Sequence, residues 1–203
     1  GEQMRFDYVF VDKVPGEGRT CLVPDLGTLN TLATLEKAVL KHLNVKGDLY
    51  SQRKFDFLED YLGEGKHFFI QADQRKCGFT FPRQLIYELF KVIDQRCGTN
   101  YYRLVSQYDS AYIWYKGSWC HLKSGVGLGM MNGAISAATA ILYHVWKDSV
   151  YEDIHLSGYF FNDDQVIRVR SEVGLPMSTR VLTWEKDLCE DWLNFMTKYG
   201  LDV

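Results

Sequence analysis

The chain has 203 residues, enough for one sizeable core or a core with an appendage, and its 46% hydrophobic and 24% charged content excludes a disordered polymer. A formal charge of −3, from 23 Lys and Arg against 26 Asp and Glu, excludes a globally basic nucleic-acid binder, so any basic surface must be local or supplied by sequence outside this chain. The five cysteines stand singly without zinc-ligand spacing, which reads as reduced thiols in an intracellular protein, and no apolar run approaches a bilayer crossing.

In chain order, residues 5–23 read as an extended pair. Phe6, Tyr8, Phe10 and Val11 lead into a turn at Pro15-Gly16-Glu17-Gly18, and Thr20 to Val23 return from it. Leu29, Leu32, Leu35, Val39 and Leu43 recur at helical spacing from about Thr28, and a shorter helix is predicted over 52–62. Lys66 to Ala72 is a compact apolar run that predicts a buried strand ending at Asp73. Pro82 opens a helix whose buried stripe is Leu85, Ile86, Leu89, Phe90 and Ile93, and Gly98 closes it. Residues 101–122, rich in Tyr and Trp with a turn at Lys116-Gly117, predict a hairpin. A glycine-rich loop, Ser124 to Gly129, feeds a small-residue helix from Asn132 to Trp146. Two apolar strands, His155 to Phe161 and Val166 to Val169, flank Asn162-Asp163-Asp164-Gln165. Val181, Trp184, Leu188, Trp192, Phe195, Met196 and Tyr199 mark a last amphipathic helix, ended by Gly200. From residue 66 the order is strand, helix, hairpin, helix, hairpin, helix, which predicts an α+β fold with helices packed on a small antiparallel sheet.

Two acidic places carry the chemistry. Asp73 ends a buried strand, and Asp163 with Asp164 occupies a hairpin turn. Carboxylates on adjacent strand ends repel one another unless divalent cations neutralise them. A pair of Mg2+ or Mn2+ ions about 3.5–4 Å apart is the usual device for in-line displacement at phosphorus. Each place also has an ordinary structural reading: Asn and Asp suit tight hairpin turns, and a strand-terminal Asp can cap a turn.

The order of the whole set resembles the palm of viral RNA-dependent RNA polymerases. Asp73-Gln74-Arg75-Lys76-Cys77-Gly78 resembles motif A, the strand ending in the first metal-binding Asp. Lys123-Ser124-Gly125-Val126-Gly127 through Asn132 resembles motif B, a Ser-Gly loop entering a helix. Tyr159-Phe160-Phe161-Asn162-Asp163-Asp164 resembles motif C, the Gly-Asp-Asp hairpin with Asn in the first place. Residues 179–203 resemble motif D, and Lys13 with Arg19 resembles the basic motif F of the fingers, which touches the incoming triphosphate. The Asn variant of motif C is similar to that of ormycovirus-like fungal RNA viruses. Gly78 and Phe79 stand where the family often carries a second Asp that senses the ribose, and Lys76 resembles polymerases of segmented negative-strand viruses.

The resemblance implies a fingers segment over 1–65, a palm over 66–203 and no thumb. It implies two metal ions held by Asp73, Asp163 and Asp164, with Lys13, Arg19, Lys76, Ser124, Gly125 and Asn132 on the substrate side. It further implies an RNA template and product strand, nucleoside triphosphates, the remaining fingers and thumb as partners, no membrane segment, and work in the host cytoplasm within a viral replication complex. The abrupt ends suggest a segment of a longer protein. Three plainer readings stand beside these. Ser124 to Gly129 is also a glycine-rich turn with Asn132 as an N-cap, Lys13 and Arg19 are also solvated charges, and the aromatics from Tyr101 to Trp119 are also packing residues. A reverse transcriptase shares the two acidic places but carries Pro-Gln-Gly where this chain has its Ser-Gly loop. A non-catalytic RNA-binding remnant of a palm is the third alternative.

Overall fold

The computed structural model describes residues 3–43, 67–150, 154–171 and 179–203. The helix expected over 52–62 lies outside them, as do the side chains of Val181 and Trp184. The chain is α+β and groups into two compact units, Gly1–Leu43 with Lys76–Ala134, and Asn44–Arg75 with Ile135–Val203.

The first unit is built on a four-stranded sheet of order β2-β1-β4-β5. β1 (Arg5–Val14) and β2 (Glu17–Pro24) form the expected antiparallel pair, turning at Gly16 with φ 89°, a left-handed value that glycine adopts freely. β4 (Tyr112–Tyr115) and β5 (Ser118–His121) form a second hairpin, and β4 runs parallel to β1, pairing Arg5 with Tyr112 and Asp7 with Trp114. That parallel junction joins segments about a hundred residues apart, and no local pattern announced it. α1 (Leu26–His42) is capped by Asp25, whose carboxylate accepts the Thr28 N–H at 2.8 Å. Leu29, expected on the buried stripe, is 50% exposed. Thr28 turns inward instead, because its hydroxyl accepts the backbone N–H of Arg5.

α2 (Cys77–Thr80) is a single turn that the sequence did not suggest. α3 (Arg83–Cys97) buries Ile86, Tyr87, Leu89, Phe90 and Ile93 and ends at Gly98 with φ 66°, as expected, while Leu85 is only half-buried. The predicted hairpin over 101–122 exists only in its second half. Its first half is α4 (Tyr101–Val105) followed by a 3-10 turn over Ser106–Ser110. The cause is Asp94, on the preceding helix. Its carboxylate accepts the N–H groups of Tyr101 and Tyr102 at 2.7 and 2.8 Å and the Thr99 hydroxyl at 2.7 Å, so it caps α4 from outside any local window. Burial raises the Asp94 pKa, but those bonds outweigh it and hold the group below the usual carboxylate range.

α5 (Asn132–Lys147) begins in the first unit and continues into the second. The second unit holds a three-stranded antiparallel sheet of order β3-β7-β6, from β3 (His67–Asp73), β6 (Ile154–Phe161) and β7 (Asp164–Ser171), together with α6 (Thr179–Lys198). Alternation along the strands turns Leu156, Phe160, Gln165, Ile167 and Val169 inward. Phe160 meets Tyr143 of α5 at 5.2 Å between ring centroids, and Trp146 meets Trp192 of α6 at 5.1 Å. The indole N–H groups of Trp146 and Trp192 donate to Asp191 and Gln165, so both large rings are buried without an unmet donor. These contacts pack α5 and α6 against the sheet. No described helix is long and apolar enough to cross a membrane.

Candidate metal centre

Three carboxylates meet at one end of the second unit's sheet. β3 and the β6–β7 hairpin are adjacent, and their register sets Asp73 directly opposite Asp164. Asp164 is in turn opposite Phe161, so β6 and β7 are joined by the two residues Asn162 and Asp163. Carboxylate oxygens of Asp73, Asp163 and Asp164 all lie within 4.8 Å of one another.

The surrounding bonds hold that geometry. Asn162 takes φ 52°, the left-handed region, where Asn is among the few residues with a side chain that is tolerated. Asn162 therefore takes this turn position at little steric cost. The Asn162 N–H donates to the Ser136 hydroxyl of α5 at 2.8 Å, and the Gln74 N–H donates to the Asp163 carbonyl at 3.2 Å. The Arg75 N–H donates to the Asp202 carbonyl at 2.8 Å, which ties the end of β3 to the segment after α6. Gln165 is 3% exposed, accepts from Trp192 and donates to the Met196 sulfur. With Gln165 anchored inward, strand alternation sends Asp164 outward beside Asp73. An open cleft of about 380 Å³ lies there, lined by Gln71, Asp73, Tyr159, Asp164 and Val166 among others.

The electrostatics are those of crowded anions. Burial, then the charge of Asp163, a hydrogen bond to it and the charge of Asp164 raise the Asp73 pKa. Burial and the neighbouring Asp163 charge raise that of Asp164. No Lys, Arg or His ion pair to any of the three is present among the described residues. Carboxylate oxygens are hard donors, which suit Mg2+ and Mn2+ rather than copper or other soft-ligand metals. The three carboxylates are close enough together to hold a divalent ion.

The other six expected residues belong to the first unit. Lys13 and Arg19 are exposed on the β1–β2 hairpin, Arg19 opposite Val11 and Lys13 at an irregularity in the ladder. Lys76 is exposed with φ 46° and precedes α2. The Ser124 hydroxyl donates to the Phe79 carbonyl at 3.0 Å, and the N–H groups of Val126 and Gly127 both donate to the Gly78 carbonyl at 2.8 Å. Gly125 has φ 70° and sits so close to the backbone of Gly78 and Phe79 that a Cβ would collide with it. The glycine-rich loop is thus laid on α2, and Gly78 and Gly125 are glycines because two backbones touch there. Asn132 is the first residue of α5 and is half-buried.

Two supporting residues escaped sequence reasoning. Ser136 looks like one more small residue on a packed helix. Glu36 of α1 accepts the Gly133 N–H at 2.9 Å, so a helix distant in sequence caps the start of α5. Burial pushes the Glu36 pKa up, against the hydrogen bonds from Gly133 and Ala134 that lower it. Neither residue carries a signal in the sequence, since both act through contacts across the fold. No family model matches the chain, and no curated protein matches it significantly.

Proposed function

We propose that this chain is the palm, with part of the fingers, of a viral-type RNA-dependent RNA polymerase of the Asn-Asp-Asp class similar to ormycovirus-like fungal viruses. One observation carries this reading. Three carboxylates from segments ninety residues apart converge within 4.8 Å, on adjacent strand ends and facing an open cleft. Residues chosen for turn propensity alone have no reason to converge.

Asp73 and Asp163, with Asp164 assisting, would hold two divalent ions. When bound, two divalent ions neutralise the triphosphate and favour ionisation of the attacking 3′-hydroxyl. The chain's own work is positioning: β3 and the β6–β7 turn hold the carboxylates at fixed spacing, as phosphoryl transfer with little covalent chemistry by the protein requires. Lys13, Arg19 and Lys76 supply positive charge for the triphosphate, and Ser124, Gly125 and Asn132 meet the nucleotide and template. The partners are RNA, nucleoside triphosphates and the remaining fingers and thumb, in the host cytoplasm.

Calorimetric titration of Mn2+ into the folded chain tests the reading. Binding is expected in the wild type and is expected to be abolished in Asp73→Ala and Asp163→Ala, both still folded by circular dichroism. Equal binding in all three, or none in any, refutes the polymerase reading.

A further inference from the structure

The cleft of about 380 Å³ beside the three carboxylates is lined by residues of the second unit alone. Strand register sets Gln71, Val166 and Tyr159 side by side, in the row next to Asp73, Asp164 and Phe161. Residues two apart on a strand share a face and stand about 7 Å apart, so Gln71 lies one such step behind Asp73. Val166 and the Tyr159 ring give the cleft an apolar floor. Its polar groups differ in kind. Asp73 and Asp164 are acids, and Gln165 is turned inward, where it accepts from Trp192 and donates to the Met196 sulfur. Gln71 is exposed, and no described residue hydrogen-bonds to its side-chain amide. No Lys, Arg or His lines the cleft, so nothing there offers a cation to a phosphate. What the cleft offers beside the acids is an apolar floor and one neutral group that both donates and accepts.

We propose that this cleft seats the ribose of a nucleotide held at the acidic site, and that Gln71 is the specificity-determining residue that reads its 2′-hydroxyl. That hydroxyl also donates and accepts, which matches the oxygen and nitrogen of the amide, and it is the group by which a protein tells RNA from DNA at a given site. The carbon face of the sugar rests on Val166 and Tyr159. The proposal rests on the polymerase reading and adds to it the residue that selects the sugar. The ribose has two sources, the 3′ end of an RNA strand and an incoming nucleoside triphosphate, and the test separates them.

The whole chain is loaded with Mn2+, and fluorescence anisotropy follows a short labelled oligo-U whose last residue carries ribose, 2′-deoxyribose or 2′-O-methylribose. UTP and dUTP are compared as competitors. The expected result is a preference of about two- to ten-fold for ribose over deoxyribose, the size of one hydrogen bond, with the 2′-O-methyl end binding no better than the deoxy end. Gln71→Leu, folded by circular dichroism, erases the preference. Preference in the oligonucleotide arm assigns the cleft to the strand end, and preference in the triphosphate arm assigns it to the incoming nucleotide; either supports the proposal. Absence of sugar preference in both arms overturns it, as does a preference that survives in Gln71→Leu, or a loaded chain that binds no nucleotide. Should Gln71→Leu fail to fold, the wild type decides alone, since a 2′-O-methyl end that binds as well as the ribose end also overturns it. Mn2+ titration of the same samples keeps the two claims apart. Absence of Mn2+ binding refutes the polymerase reading itself, whereas Mn2+ binding without sugar preference refutes only the role of Gln71.

Discussion

Replacing Ser136 with Ala isolates the link between the fold and the acidic turn. The Ser136 hydroxyl is 2% exposed and accepts the Asn162 N–H at 2.8 Å. Removing it leaves that donor without its partner, which costs about 1–3 kcal/mol for a buried group. Asn162 is only half-buried, so solvent relieves part of this and the lower half of the range, about 1–2 kcal/mol, applies. Alanine recovers up to about 0.5 kcal/mol through its higher helix propensity. The net loss is about 1 kcal/mol, which lowers the melting temperature of a chain this size by about 2–4 °C. The consequence at the site is larger than the consequence for stability. The turn that carries Asp163 loses its tether to α5, and supporting residues of this kind alter metal affinity by about 10–100-fold. Differential scanning calorimetry reads the first effect and Mn2+ titration the second. A variant that melts within about 1 °C of the wild type and binds Mn2+ equally well refutes the claim that α5 positions the turn.

Two further predictions concern charge and close packing. Asp73 and Asp164 both have folded pKa values raised above their ordinary ones, so each favours the folded state while protonated. That contribution is complete below the ordinary carboxylate range and is lost as pH rises through the raised folded values. The metal-free chain therefore loses stability from these groups as pH climbs out of the acid range, and Asp164→Asn flattens the slope. Urea unfolding in EDTA from about pH 4 to about 7 measures this, and an identical slope in the variant contradicts the repulsion account. Gly78→Ala places a Cβ 2.6 Å from the Gly127 carbonyl oxygen and 2.6 Å from the Leu128 Cα, both backbone atoms that cannot rotate away. Overpacking of about 1–3 kcal/mol, less about 0.5–1 kcal/mol regained because alanine suits a helix better than glycine, leaves a net loss of about 1–2 kcal/mol. A urea midpoint at or above that of the wild type would show that the glycine-rich loop is free to move off α2.

Much of the fold was legible because it is written in local pattern. The period of Leu32, Leu35 and Val39 marked α1, the apolar run before Asp73 marked β3, and the paired runs around Asn162-Asp163 marked the β6–β7 hairpin. Where the pattern misled, a distant group intervened. Asp94 made a helix of Tyr101–Val105, and Thr28 displaced Leu29 from the buried face of α1. Gly78 read as the place of an absent acid and Gly125 as part of a glycine-rich loop, while their shared contact is visible only in three dimensions.

Side-chain chemistry and short-range periodicity were enough to mark which residues are acidic, that Asp73 ends a strand, and that Asp163 and Asp164 lie at a reversal of the chain. Tertiary structure alone decided that the three carboxylates stand within 4.8 Å of one another. It also decided that Ser136 and Gln74 secure the turn and that two tryptophans remain exposed. The physical reason is one of range. Periodicity and turn propensity act over a few residues, whereas strand register and cross-chain hydrogen bonds are chosen by the packing of the whole core.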